Sequence, residues 1–407
     1  MNNLVVVGID VSSRKSAVCI MLNKQVIKQF NITNDAIGFQ QLLDELEFYH
    51  QQPQIVFEAT GVYSCRLQAF LNQYHYRYTM LNPLKAKQQL DQFRRNKTDR
   101  RDAKDLAYSQ FIYHRGPTYL QDPNYKQLGA MSRFYEQLTH DLVSAKNRLH
   151  RVLQFTFPEL ETLTSHPDGT NYWRYVQTFT HPQIVKNLGY EGVMQYFLSF
   201  HGIGKQRANK LATNLLELAD TAYPAVDKAA FEVEQARYYA QRLTKLTKER
   251  ENVIQKMSDL ASKLPNRDLK ILESIPGISQ ITAVRLLGEL GDIRRFRNPN
   301  ALNAFVGLDL RHYQSGEMEL TDHISKRGNP IGRKILYRTI GQMDSVRYSE
   351  PCHIADYYEK KKRSSQSRNF KKIAIAAVHK LTRTVYYLIV HDQLYDYSVV
   401  KNKQGFN

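Results

Sequence analysis

The sequence predicts an α/β N-terminal domain with a mixed sheet, a helical coiled-coil connector and a mainly α C-terminal domain. Three observations predict this. Residues 4–81 read as strands first and then alternate strand with helix. Two later stretches carry apolar residues at alternating spacings of three and four, as a coiled-coil seam does. Finally, Ile275-Pro276-Gly277-Ile278 is an apolar-Pro-Gly-apolar turn leading into a helix, the pattern of a helix-hairpin-helix. The expected divisions are 1–125, 126–270 and 271–407.

In chain order, Leu4–Asp10 is a β-branched run ending on an acid and reads as a buried strand. Ser16–Leu22 and Gln25–Ile32 follow as strands, joined by a turn at Asn23-Lys24. Asp35–Tyr49 has helical spacing, with Asn34 as its expected cap. Gln54–Glu58 is a second short apolar run ending on an acid. A helix over Gly61–Tyr74 and a strand over Tyr76–Leu81 come next, and Pro83 opens a further helical region. The first seam runs Leu128, Met131, Tyr135, Leu138, Leu142, Ala145, Leu149 and Val152, and Pro158 ends it. The second runs from Ala236 to Leu264, with Arg250 breaking an a position at a cost in stability. The seams can pair with each other or across chains. An amphipathic helix on a globular core explains each of them as well. Residues 156–230 give no clear pattern, and the Gly-rich stretch His201–Lys205 reads as a tight turn. Helices are expected at 300–308, at Ile331–Ile340 and at Ile373–Val390, with a basic loop over 360–372.

Composition narrows the partners. The net charge is +18, from 57 Lys+Arg against 39 Asp+Glu, which suggests a polyanion, nucleic acid before a membrane surface. A hydrophobic content of 42%, with 26 Tyr and 18 Phe, excludes a disordered chain. Cys19, Cys65 and Cys352 form neither a disulfide framework nor a zinc spacing. The N-terminus lacks a signal-peptide pattern, and no apolar run approaches the roughly 18–20 residues of a span. A soluble, cytoplasmic protein with no membrane partner is expected.

The chemistry centres on Lys97-Thr98-Asp99-Arg100-Arg101-Asp102-Ala103-Lys104-Asp105. On a helix, Asp99 and Asp102 share a face with Cβ atoms about 5–6 Å apart, and a divalent metal turns their repulsion into a gain. A solvated helix start capped by Thr98 or Asp99 is the plain alternative. Asp10 and Glu58 stand at strand ends, where the working site of an open α/β sheet lies. Four converging carboxylates suit two hard cations. Eight basic residues lie within 85–104, among them Arg94, Arg95, Lys97, Arg100 and Arg101, and these favour a phosphate backbone there. In the last domain, Tyr313-Gln314-Ser315-Gly316-Glu317 and Ile324-Ser325-Lys326-Arg327-Gly328-Asn329 place serines beside flexible glycines and near Arg333. Such a serine is either a nucleophile near a phosphate or a plain turn residue. Lys360, Lys361, Lys362 and Arg363 add a basic run.

Gly8-Ile9-Asp10-Val11, Phe57-Glu58-Ala59-Thr60-Gly61 and Lys97-Thr98-Asp99-Arg100-Arg101-Asp102-Ala103 resemble the three catalytic blocks of the DEDD transposases of insertion-sequence family 110. Ile275–Ile278, Phe305-Val306-Gly307-Leu308, Gln314-Ser315-Gly316 and Ile324–Asn329 resemble that family's second domain, in order and at family-like spacing. Piv-type DNA invertases share the pattern. The resemblance implies a RuvC-like, ribonuclease-H-type N-terminal domain with Asp10, Glu58, Asp99 and Asp102 binding Mg²⁺, or Mn²⁺ in its place. It implies Ser315 as the nucleophile that forms a transient phosphoserine link, with Ser325 a nearby competitor. It further implies donor and target DNA as substrates, a bridge RNA as guide, and a dimer to tetramer assembled through the coiled coil. Here residues 156–230 depart from the family as a longer connector. The alternative function is a RuvC-like hydrolytic nuclease, junction resolvase or invertase.

Overall fold

The computed structural model describes residues 4–50, 52–83, 86, 98–311, 314–315, 318–319, 323–364 and 370–399, with backbone alone at 310–311, 314–315 and 318–319. Lys85, Lys87, Arg94, Arg95, Lys97 and Arg368 lie outside the described residues. The chain forms two compact units, Met1–Leu120 and Gln121–Asn407.

The first unit is a five-stranded mixed sheet in the order β3-β2-β1-β4-β5. Its strands are β1 Val5–Val11, β2 Lys15–Leu22, β3 Gln25–Thr33, β4 Gln54–Glu58 and β5 Tyr78–Leu81. β2 runs antiparallel to β1 and to β3, whereas β4 is parallel to β1 and to β5. Asn23 and Lys24 both have positive φ (47° and 72°), the backbone that a two-residue turn between twisted strands requires. Side chains alternate along β1. Val5, Val7, Ile9 and Val11 face helices α1 (Ala36–Glu47) and α2 (Ser64–Gln73), and Val6 faces α3 (Asp99–Tyr113). The cap of α1 is Asp35, whose carboxylate accepts from the Gly38 amide at 2.9 Å. The expected Asn34 is instead drawn inward, bonded to Ser16 Oγ and to the Ser12 carbonyl, both at 2.7 Å.

In the second unit the two predicted seams become α4 (Pro123–Thr156) and α8 (Phe231–Ala261). Arg242 meets Asp141 and Arg250 lies over the Tyr135 ring, so numbers fall on one helix as they rise on the other. The helices therefore pair with each other within the chain, antiparallel. Arg250 is half-buried, its guanidinium 5.6 Å from the ring centroid, which softens the cost of a charge in the seam. The unassigned connector is α5 (Thr170–Thr178), α6 (Pro182–Leu198) and α7 (Lys205–Thr221), with α5 against α8. Tyr175, Phe179, Tyr196, Phe197 and Phe200 interlock edge-to-face at its centre. Gly202 takes φ +82° in the turn before α7.

α9 (Asp268–Glu273) and α10 (Gln280–Leu290) flank the predicted apolar-Pro-Gly-apolar turn at 275–278. Gly277 has φ +80°, and a Cβ there would lie 2.8 Å from Met343 of α12 (Pro330–Val346). α11 (Pro299–Phe305), α13 (His353–Ser364) and α14 (Phe370–Val390) complete the unit, and the connector and C-terminal helices share one core. α14 is long and apolar enough to cross a membrane by length and composition, although no such run was expected; eight of its residues pack into that core. The basic loop predicted over 360–372 is corrected too. Lys360–Arg363 are the last turn of α13, where Lys362 pairs with Asp344 at 3.2 Å and Arg363 with Glu359 at 3.0 Å.

Candidate active site

In the first unit the strand pairing aligns Ile9 with Phe57, both in the core under α1 and α2. The next residues, Asp10 and Glu58, therefore sit side by side at adjacent parallel strand ends and turn to the opposite face, under α3. Each is half-buried. Gly8, two residues before Asp10 on that face, lets α3 descend onto the sheet: a Cβ there would lie 2.1 Å from the Ala103 carbonyl.

Thr98 caps α3, its hydroxyl 3.4 Å from the Arg101 amide, and Asp99 and Asp102 fill the first turn, where the helix dipole favours anions. Asp99 is exposed, whereas Asp102 is buried at 7% exposure. Asp102 Oδ1 is enclosed without a hydrogen-bond partner. Such an atom demands an explanation, and an oxygen-only carboxylate set fits a hard cation. Among the described residues, no three His, Cys, Asp or Glu side chains are grouped closely enough to hold an ion as they stand. The fold thus brings Asp10, Glu58 and Asp102 to one face and leaves Asp99 at its solvent edge. Beside Asp99 opens a cleft of about 500 Å³ lined by Lys15, Ser16, Ala17, Asn31, Thr98 and Arg100. Arg100 and Arg101 are exposed, and the Arg100 carbonyl accepts from Gln29 Nε2 at 3.1 Å.

In the second unit the described residues of the serine segment form two antiparallel strand pairs. Leu310 and Arg311 pair with Ile324 and His323, and Gln314 and Ser315 pair with Glu319 and Met318. Ser315 is paired through its backbone with Met318. Ser325, the rival serine, directly follows the paired Ile324. Its hydroxyl donates to Asp309 Oδ1 at 2.5 Å and accepts from the Arg327 amide at 3.3 Å. Its own amide donates to the Asp309 carbonyl at 2.8 Å. Lys326 and Arg327 are exposed, Lys326 with φ +53°. Gly307 and Gly328 interlock the flanking turns: a Cβ on Gly307 would lie 2.1 Å from the Arg327 carbonyl, and one on Gly328 would lie 2.2 Å from that of Phe305.

Several other predicted cations make contacts within the fold. Arg333 donates to the Val306 carbonyl at 2.8 Å, and Lys334 pairs with Glu136. Lys361 lies over the Tyr357 ring, and Lys360 is exposed. Sequence reasoning missed Asp309 and the support beneath it. Asn329 caps α12 through the Ile331 and Gly332 amides and is held by the buried Glu289 at 2.7 Å. An acid between Leu287 and Leu290 on an apolar helix face was the available signal for Glu289.

Two family models match the chain. One, a transposase model of the DEDD type named for IS110, spans residues 7–158; the other, the transposase IS116/IS110/IS902 family, spans residues 269–359. The chain is also similar to the transposase for insertion sequence element IS1111A of Coxiella burnetii, 30% identical over 134 residues. That match covers 32% of this chain and about a third (35%) of the relative's length.

Proposed function

We infer that this chain, which belongs to the IS110 family of transposases, moves an insertion sequence by metal-dependent cleavage and exchange of DNA strands. The observation that carries the reading is Asp10 and Glu58 at neighbouring strand ends beneath a helix whose Asp102 keeps a buried oxygen unsatisfied. Asp10, Glu58, Asp99 and Asp102 would hold Mg²⁺, or Mn²⁺ in its place, and the ion would polarise the scissile phosphate and stabilise its developing charge. Ser315 supplies the attacking oxygen. Its Oγ forms a bond to phosphorus, the bond to the leaving strand's oxygen breaks, and the serine proton passes to a base. The diester energy is kept in the phosphoserine, and a strand hydroxyl then displaces the serine and reseals the DNA without ATP. Its place in a strand pair of the same segment as the exposed Lys326 and Arg327 supports Ser315 for the role.

A bridge RNA as guide, and a homo-oligomer of two to four chains, complete the proposal. Because α4 and α8 pair within the chain, assembly would use faces that this pairing leaves outward. Trapping the cleaved complex and mapping the DNA–protein link by mass spectrometry tests the chemistry. A link at Ser315 is expected; a link elsewhere, or cleavage that survives Ser315→Ala, would favour Ser325 or a hydrolytic nuclease. Sequencing the RNA that copurifies tests the guide, with one defined species encoded beside the gene expected.

A further inference from the structure

We propose that the outward face of α4 is a docking surface for the sugar–phosphate backbone of duplex DNA. At about 100° per residue, Lys126, Arg133, His140, Arg148 and Arg151 all fall within roughly 40° of one line along the helix. All five are exposed. No acid shares the arc, which is otherwise filled by Ala130, Gln137, Ser144 and Phe155. The acids that border it are both engaged elsewhere: Glu136 holds Arg285 and Lys334, and Asp141 faces Arg242 at 3.7 Å. Off the arc, Lys146 is tied to Asp168 at 2.8 Å. The five residues of the stripe have no such partner among the described residues, so their charge is open to a polyanion.

The spacing fits a duplex. The stripe divides into Lys126 with Arg133 and Arg148 with Arg151, centred 20 residues apart, or about 30 Å at 1.5 Å per residue. One strand returns to the same side of a DNA duplex about every 34–36 Å, and long basic side chains span the difference. His140 lies between the pairs, over the groove. Recognition of this kind positions a duplex without reading its bases. The choice of nucleic acid as the polyanion rests on the function proposed above.

The test measures binding of a duplex DNA and a duplex RNA of about three helical turns as salt is varied. The protein carries Asp102→Asn, so that binding is read without cleavage. Replacing Lys126, Arg133, Arg148 and Arg151 together by Gln is expected to lower the slope of log affinity against log salt by about 0.9 per lost DNA phosphate contact, up to about 3.6. A fall on the DNA supports the proposal, and a fall on the RNA alone overturns the assignment to DNA. Lys245→Gln with Lys248→Gln on α8 is the charge control, expected to leave the slope in place. An unchanged slope in the fourfold variant on both duplexes overturns the proposal, as does an equal fall in the control. A parent protein that binds neither duplex overturns the nucleic-acid reading itself.

Discussion

Replacing Gly8 by alanine should disable the acid site by a push from below. The added Cβ would lie 2.1 Å from the Ala103 carbonyl oxygen, 2.6 Å from the Ala107 amide and 2.9 Å from Ala107 Cβ. The two closest atoms are backbone, so no rotamer change relieves the overlap. Reaching even a 3.0 Å contact requires α3 to lift by about 1 Å, an overpacking that costs about 1–3 kcal/mol. Asp102 precedes Ala103 directly, so the lift carries its carboxylate away from Asp10 and Glu58. A displacement of about 1 Å at a reacting centre costs on the order of 100-fold in rate. The assay is strand cleavage in Mg²⁺ per folded molecule, beside thermal unfolding. Val6→Ala, on the same face and fully buried, is the comparison: it opens a cavity costing about 2 kcal/mol without pushing the helix. It should lose stability and keep cleavage. A Gly8→Ala protein that cleaves within a few-fold of the parent and unfolds at the same temperature would refute the reasoning.

Asp102→Asn should abolish cleavage and leave unfolding in metal-free buffer no easier than in the parent; Mg²⁺ should raise the unfolding temperature of the parent but not of the variant. Arg294→Ala should destabilise the second unit by about 3–5 kcal/mol in denaturant titration, because it strands a buried aspartate. Ser325→Ala and Asp309→Asn should each slow formation of the Ser315–DNA link with little change in DNA affinity, and Ser325→Thr should restore it. Burial, then the nearby Lys380, pushes the His353 imidazole from 6.5 down to about 4. The unfolded chain therefore takes up the proton first, so stability is full above about pH 6.5 and falls by about 3 kcal/mol as pH drops to about 4. His353→Gln should flatten that profile in thermal melts.

Much of the first unit was legible because its strands are short, β-branched and alternately buried. Gln54–Glu58 matches the expected strand to the residue, and the acids at strand ends followed from it. The cap moved by one position because Asn34 and Asp35 are both good caps, and only the buried Ser16 hydroxyl decides between them. The connector was opaque for a different reason. Gly189, at φ +64°, breaks α6 into two pieces, and the core there is an aromatic cluster rather than a periodic stripe. The serine segment is built of two-residue strands, too short for alternation to register. The basic run at 360–363 read as a loop because its neutralising partners, Glu359 and Asp344, stand outside that window, one of them on another helix.

Two buried aspartates differ in how fully the fold satisfies their carboxylates. Asp268 is 1% exposed, and its carboxylate is fully occupied. Arg294 grips both oxygens at 2.8 and 2.9 Å, and Tyr125 donates to Oδ2 at 3.0 Å. Burial, then Asp268 itself, pushes the Tyr125 hydroxyl well above its ordinary range, so it stays a donor. Arg294 also reaches the Ile389 carbonyl at 2.9 Å, so this one carboxylate ties α9 to the ends of α4 and α14. Asp102 is nearly as enclosed, yet its Oδ1 has no partner. A buried carboxylate oxygen without a partner costs stability, at Asp102 as at Glu289 Oε1, and Asn or Ala at 102 would relieve that desolvation. At Asp102, which lies on the helix over two strand-end acids, the proposed cation is what would offset that cost.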